Sequence, residues 1–137
     1  MKHTLLLTLF ISSSVLADSD VITRGDLQDI YNNLNIATFS SSLMPKRLNN
    51  EQIYLRQFDL PQPTFTENMI TIDSSNFTYS FEVLKKSDGN RDGIVDYAVC
   101  FSEKSKIGTY DARTPLLISP LGIGGQIIAL GFKDLKC

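Results

Sequence analysis

The clearest pattern along the chain is strict alternation. Phe77, Tyr79, Phe81 and Val83 are separated by Thr78, Ser80 and Glu82, and Val95, Tyr97, Val99 and Phe101 repeat the rule further on. Residues two apart share a face in a strand, so each run predicts a strand with one buried face. The segment between them is rich in Asp, Asn and Gly. The two runs therefore pair as an antiparallel hairpin with that segment at its tip. Asp96, Ala98 and Cys100 then share the face opposite Val95 and Tyr97, which leaves Asp96 free to turn toward the tip.

Other strands are weaker in pattern. Met69–Asp73 predicts a short strand ending in the turn Ser74-Ser75-Asn76, and residues 52–58 a further short one. Residues 114–132 carry no charge, but Pro115, Pro120, Gly122, Gly124, Gly125 and Gly131 interrupt them. That punctuation predicts two buried strands, 115–119 and 126–132, joined by a glycine-rich turn, and argues against a membrane span. The Gly122–Gly125 segment lacks the lysine and the Ser/Thr of a phosphate loop.

Helical spacing occurs over residues 23–35, where Leu27, Ile30, Tyr31 and Leu34 make one apolar stripe. Thr23 and Asp26 stand as a variant of the capping box, and Asp26 and Asp29 suit the positive end of the helix dipole. Arg24-Gly25-Asp26 spells an integrin-binding triplet, but here it reads as a helix start. Pro45, Lys46 and Arg47 followed by Asn49 and Asn50 predict a turn, and Pro61 and Pro63 an extended connector. The fold expected is α+β: one N-terminal helix packed on an antiparallel sheet of about five strands.

The first residues read as a signal peptide. Lys2 and His3 precede an apolar run from Leu5 to Ile11, and Val15-Leu16-Ala17 offers a cleavage site. Cleavage after Ala17 leaves residues 18–137 as a single small domain; an uncleaved N-terminus would act as an anchor. The destination is secreted or periplasmic. The formal charge is −2, and removing Lys2 makes the chain slightly more acidic. Positive and negative residues are interspersed with no basic stripe, which argues against nucleic acid as a partner. Cys100 and Cys137 are the two cysteines, and an even count in an exported chain predicts a disulfide between them. Asn76-Phe77-Thr78 is a glycosylation sequon, meaningful only in a eukaryotic secretory pathway.

The hairpin tip holds the candidate chemistry. Asp88, Asn90, Asp92 and Asp96 stand at positions 1, 3, 5 and 9 of a loop with Gly93 at position 6. Such spacing turns alternate oxygens toward one ion, lets Ile94 at position 7 offer its backbone carbonyl, and uses the glycine for a sharp turn. Turns favour Asp, Asn and Gly without any metal. Four spaced donors, and carboxylates that repel one another unless neutralised, point to a cation. The loop resembles the DxNxDGxxD calcium loops of FG-GAP repeats and thrombospondin type 3 repeats and, in its first half, those of dockerins and EF-hands. That resemblance implies Ca2+. It covers nine residues, occurs once, lies between strands, and has Val99 where an EF-hand has a bidentate Glu. The missing Glu implies an affinity of about 10⁻⁴–10⁻³ M. Lys85, Lys86 and Arg91 are expected to weaken the site further.

The only histidine is His3, so a processed chain has no Ser-His-Asp triad, Cys-His pair or imidazole zinc ligand. No catalytic residue is assigned. The N-terminus also lacks the Gly cleavage site and long apolar helix of a type IV pilin. The function expected is that of an exported, non-enzymatic domain that binds an unidentified protein partner, with calcium holding the hairpin tip. One alternative is a periplasmic accessory partner of a membrane, secretion or pilus system, favoured by an exposed sheet edge that accepts a strand. Another is a small carboxylate-based hydrolase, favoured by a pocket holding two carboxylates outside residues 88–96.

Overall fold

A computed structural model describes residues 21–44, 49–131 and 135–137. The signal peptide expected at 1–17, the turn expected at Pro45–Arg47 and the end of the strand expected to reach residue 132 lie outside them.

One helix, α1 (Arg24–Asn33), begins on a complete capping box. The Asp26 N–H donates to Thr23 Oγ1 at 3.1 Å, and the Thr23 N–H donates to Asp26 Oδ2 at 2.8 Å. The Arg24-Gly25-Asp26 triplet is thus the first turn of a helix whose aspartate is already engaged. The helix lies inside the chain rather than at its start, and its stripe of Leu27 and Ile30 is buried.

Among the described residues, six strands form one antiparallel sheet in chain order: β1 (Thr64–Thr66), β2 (Met69–Asp73), β3 (Phe77–Ser87), β4 (Asp96–Ser105), β5 (Asp111–Ser119) and β6 (Ile128–Leu130). The α+β class holds, with one strand more than expected. The extra strand is β1, three residues after Pro63 that pair with β2. Residues 52–58 are not a strand. Leu55–Gln57 is a 3₁₀ turn, closed where Gln57 Oε1 accepts the N–H groups of Ile53 and Tyr54 at 2.8 and 2.9 Å. A local side-chain acceptor there competes with sheet pairing. The last expected strand shortens to Ile128–Leu130, because Ile127 instead bridges Leu34 at the end of the helix.

Helix α1 covers one face of the sheet. Leu27, Ile30 and Leu34 join Ile70, Ile72, Tyr79, Phe81, Val99, Phe101 and Ile118 in a core closed to solvent. Phe81 and Phe101 are direct cross-strand partners and stack at 4.6 Å, with Phe39 edge-on to Phe101 at 5.3 Å. Such aromatic pairs add about 0.5–1.5 kcal/mol beyond the area they bury. The second face is also closed at β4, which is buried at every residue from Asp96 to Phe101. Cys100 lies on that face at disulfide distance from Cys137, their Cα atoms 5.5 Å apart. No helix among the described residues is long and apolar enough to cross a membrane.

Candidate metal centre

Strands β3 and β4 carry the loop at one end of the sheet, where Ser87 pairs with Asp96. A bulge between Val83 and Lys85 inserts Leu84 into β3 and shifts the register by one. A one-residue slip exchanges faces. Lys86 therefore stands beside Tyr97 on the helix side, and its ammonium contacts both carboxylate oxygens of Asp26 at 3.2 Å. The expectation that Lys86 weakens the loop is corrected: its charge is held by α1, on the other face of the sheet from Asp96. Lys85 and Arg91 are exposed.

The loop is wound tightly by its own side chains. Asp88 Oδ1 accepts the Asp92 N–H at 3.0 Å, and its Oδ2 accepts the Gly93 N–H at 2.7 Å. Asp92 Oδ1 accepts the Ile94 N–H at 2.8 Å, and its Oδ2 accepts from the Asn90 amide at 3.0 Å. Asp96 Oδ2 accepts the N–H groups of Gly89 and Asn90 at 3.0 and 3.4 Å. Two residues take the left-handed backbone these bonds require, Gly93 at φ 84° and Arg91 at φ 61°. Glycine does so freely, whereas Arg91 adopts it at a cost of about 1 kcal/mol or more.

The consequence is convergence. One carboxylate oxygen from each of Asp88, Asp92 and Asp96 lies within 4.8 Å of the others. Asp88 and Asp92 are exposed and Asp96 is wholly buried. Three anionic groups at that spacing repel one another, and the buried one is poorly screened by water. A cation among them reverses the sign of the interaction.

Unpaired oxygens test whether an ion fits. Among the described residues, three buried side-chain oxygens have no hydrogen-bond partner: Asn90 Oδ1, Asp96 Oδ1 and Ser119 Oγ. Two belong to the loop. A buried oxygen without a partner costs about 1–3 kcal/mol, more when charged. Asn90 directs its amide N–H at Asp92, and its own carbonyl oxygen is left without a partner. The donors are all oxygens, the set that suits a hard divalent cation and not zinc or copper. Asp88, Asp92 and Asp96 are thus brought together, and Asn90 is tied to Asp92 through its amide. Ile94, expected to give its carbonyl, is held by the bond from its N–H to Asp92.

Two buried polar groups escaped the sequence reading. Ser119 ends β5 within an uncharged stretch that looks purely structural. Glu103 lies on the helix face of β4, only 2% exposed, and lines a cleft of about 420 Å³ with Ser40–Ser42, Phe77, Tyr110 and Thr114. Its Oε1 accepts the Ser42 N–H and hydroxyl at 2.6 and 2.8 Å, so it fastens the segment after the helix to the sheet. Its position among Phe101 and Val99, on the apolar side of the alternation, was the available signal.

No protein-family model, curated protein or solved structure matches the chain.

Proposed function

We propose that the chain is an exported, non-enzymatic domain that works by protein–protein contact and holds calcium in the 88–96 loop as a structural ion. The observation that carries the reading is Asp96: a fully buried carboxylate with one oxygen unpaired, converging with Asp88 and Asp92. Export rests on the apolar run Leu5–Ile11 after Lys2, and the Cys100–Cys137 pair suits an oxidising compartment. Calcium is favoured over magnesium because the chain itself offers three carboxylates and an amide oxygen, whereas magnesium demands near-octahedral geometry, retains several waters and usually takes only one or two carboxylates.

Contact rather than catalysis is supported by what surrounds the loop. Leu84, Ile94 and Leu121 are exposed apolar residues at the same end of the sheet, 37–47% accessible. Exposed apolar residues at the end of the sheet that carries the loop suit a protein contact. Among the described residues, the cleft at the other end of the sheet is lined by Glu103 and no second carboxylate, whereas a glycosidase-like site uses an acid–base pair. Both sheet edges, β1 and β6, are three residues long, which offers little to an added strand.

Hydrogen exchange read by mass spectrometry tests the structural ion. The amides of Gly89, Asp92, Gly93 and Ile94 exchange more slowly in calcium than in chelator if the reading holds, and identical exchange contradicts it. A panel of glycan, peptide and ester substrates tests the absence of catalysis. Turnover that disappears in Glu103→Gln would replace the binding reading by an enzyme.

A further inference from the structure

The third unpaired oxygen, Ser119 Oγ, lies where the loop can use it. Strands β4 and β5 pair antiparallel, with Tyr97 opposite Ile118 and Ala98 opposite Leu117. One more step of that register sets Asp96 opposite Ser119, the residue that ends β5. Directly opposite residues share a face, with Cβ atoms about 4.5–5.5 Å apart. Both residues are fully buried, and each has an oxygen with no hydrogen-bond partner. The loop itself folds back over this spot. A Cβ placed on Gly89 would stand 3.0 Å from Leu117 Cδ1 and 3.8 Å from Asp96 Oδ2, so the loop backbone runs against β5.

A buried hydroxyl normally finds a partner, and a strand-end serine has backbone groups nearby to choose from. Ser119 uses none of them. Asp96, one position across, has the complementary problem: an acceptor with nothing to accept. Two unsatisfied buried oxygens on residues placed opposite one another in a strand pair can be satisfied together by one electropositive centre.

We propose that Ser119 supplies an oxygen ligand on the buried side of the loop's ion, filling part of the shell that Val99 at position 12 leaves open. The proposal rests on the metal reading of the Asp88–Asp92–Asp96 cluster and extends it to a residue from a different hairpin. It gives the single loop a reason to function without tandem copies: β5 contributes what a loop alone lacks. It also ties the ion to the sheet, because binding then joins the β3–β4 tip to the end of β5.

Terbium, which occupies calcium sites and luminesces, tests this on the intact exported chain. Titrations measure affinity, and lifetimes in light and heavy water count the water molecules on the ion. Ser119→Ala removes a hydroxyl that has no partner, so the ion-free fold retains its stability. The variant is expected to bind about tenfold more weakly and to carry about one more water than the wild type. Unchanged affinity overturns the proposal. So does weaker binding with an unchanged water count, because Ser119 would then act through another group. Asp92→Ala reports on the parent reading separately. If the wild type and Asp92→Ala both fail to bind, the metal site itself is wrong. If the wild type binds and Ser119→Ala matches it, only the role of Ser119 is wrong.

Discussion

The Tyr97 hydroxyl donates to Asp26 Oδ1 at 2.8 Å, joining strand β4 to the first turn of α1. Asp26 therefore does two jobs. It caps the helix through Thr23 and anchors the helix to the sheet through Tyr97 and Lys86. Burial raises the carboxyl's pKa, but the bonds from the Thr23 N–H, Tyr97, Lys86 and the Thr23 hydroxyl outweigh it, and the net shift is downward. Burial, then the bond to Asp26, pushes the Tyr97 phenol well above its ordinary value of 10.0.

Asp26→Asn removes the charge from this junction and is expected to cost about 1–2 kcal/mol at neutral pH. The pH dependence has a definite sign. A carboxyl with a depressed folded pKa stabilises fully above its unfolded value, near 3.8, and loses that contribution as pH falls through the lower folded pKa. Urea melts of wild type and variant should differ most above about pH 5 and converge below that window. A difference that persists unchanged at low pH contradicts the assignment.

Cys100 and Cys137 are expected to be bonded in protein prepared without reductant. Intact mass with and without reduction, after alkylation, reads the bond directly. Its loss is expected to lower stability by about 3–4 kcal/mol. Two thiols alkylated without reduction rule it out.

Gly93→Ala tests the loop's backbone. A Cβ at Gly93 meets nothing within 4 Å, so any cost comes from the φ of 84° and not from a clash. The variant is expected to lose about 1 kcal/mol and to weaken cation binding, read by thermal melts and terbium titration. Gly89→Ala should act differently, through contact with Leu117 Cδ1 at 3.0 Å. Equal behaviour of the Gly93 variant and the wild type in both measurements would show that the turn is not under backbone constraint.

Glu103→Ala removes the acceptor of the Ser42 N–H in a part-buried setting and leaves the Ser42 hydroxyl only its contact with Tyr79. A loss of about 2–4 kcal/mol is expected in urea melts, with Glu103→Gln recovering part of it. A neutral effect of the alanine change would mean that water replaces the carboxylate.

The hairpin and its tip were legible because two independent signals agreed there. Alternation set the faces of β3 and β4, and the loop spacing required Asp96 to face away from Tyr97, which alternation also demanded. The parts that escaped were those where one residue changes the outcome. Leu84 looks like any apolar strand residue, yet as the bulge it moves Lys86 from the loop's surroundings to Asp26. Gln57 carries no strong turn signal, yet its side chain converts an expected strand into a 3₁₀ turn. Strand β1 is three residues long, too short to show a period. Ser119 was hidden because its significance depends on β5 pairing with β4, a contact between residues distant in sequence.

The central claim is that a divalent cation binds among Asp88, Asp92 and Asp96. Calorimetric melts of the intact chain in millimolar calcium and in chelator test it most directly, with Asp92→Ala as the control. Binding to the folded state alone raises the melting temperature with ligand concentration. The account predicts a concentration-dependent rise for the wild type and none for Asp92→Ala. Superimposable wild-type melts with calcium and with chelator would contradict it.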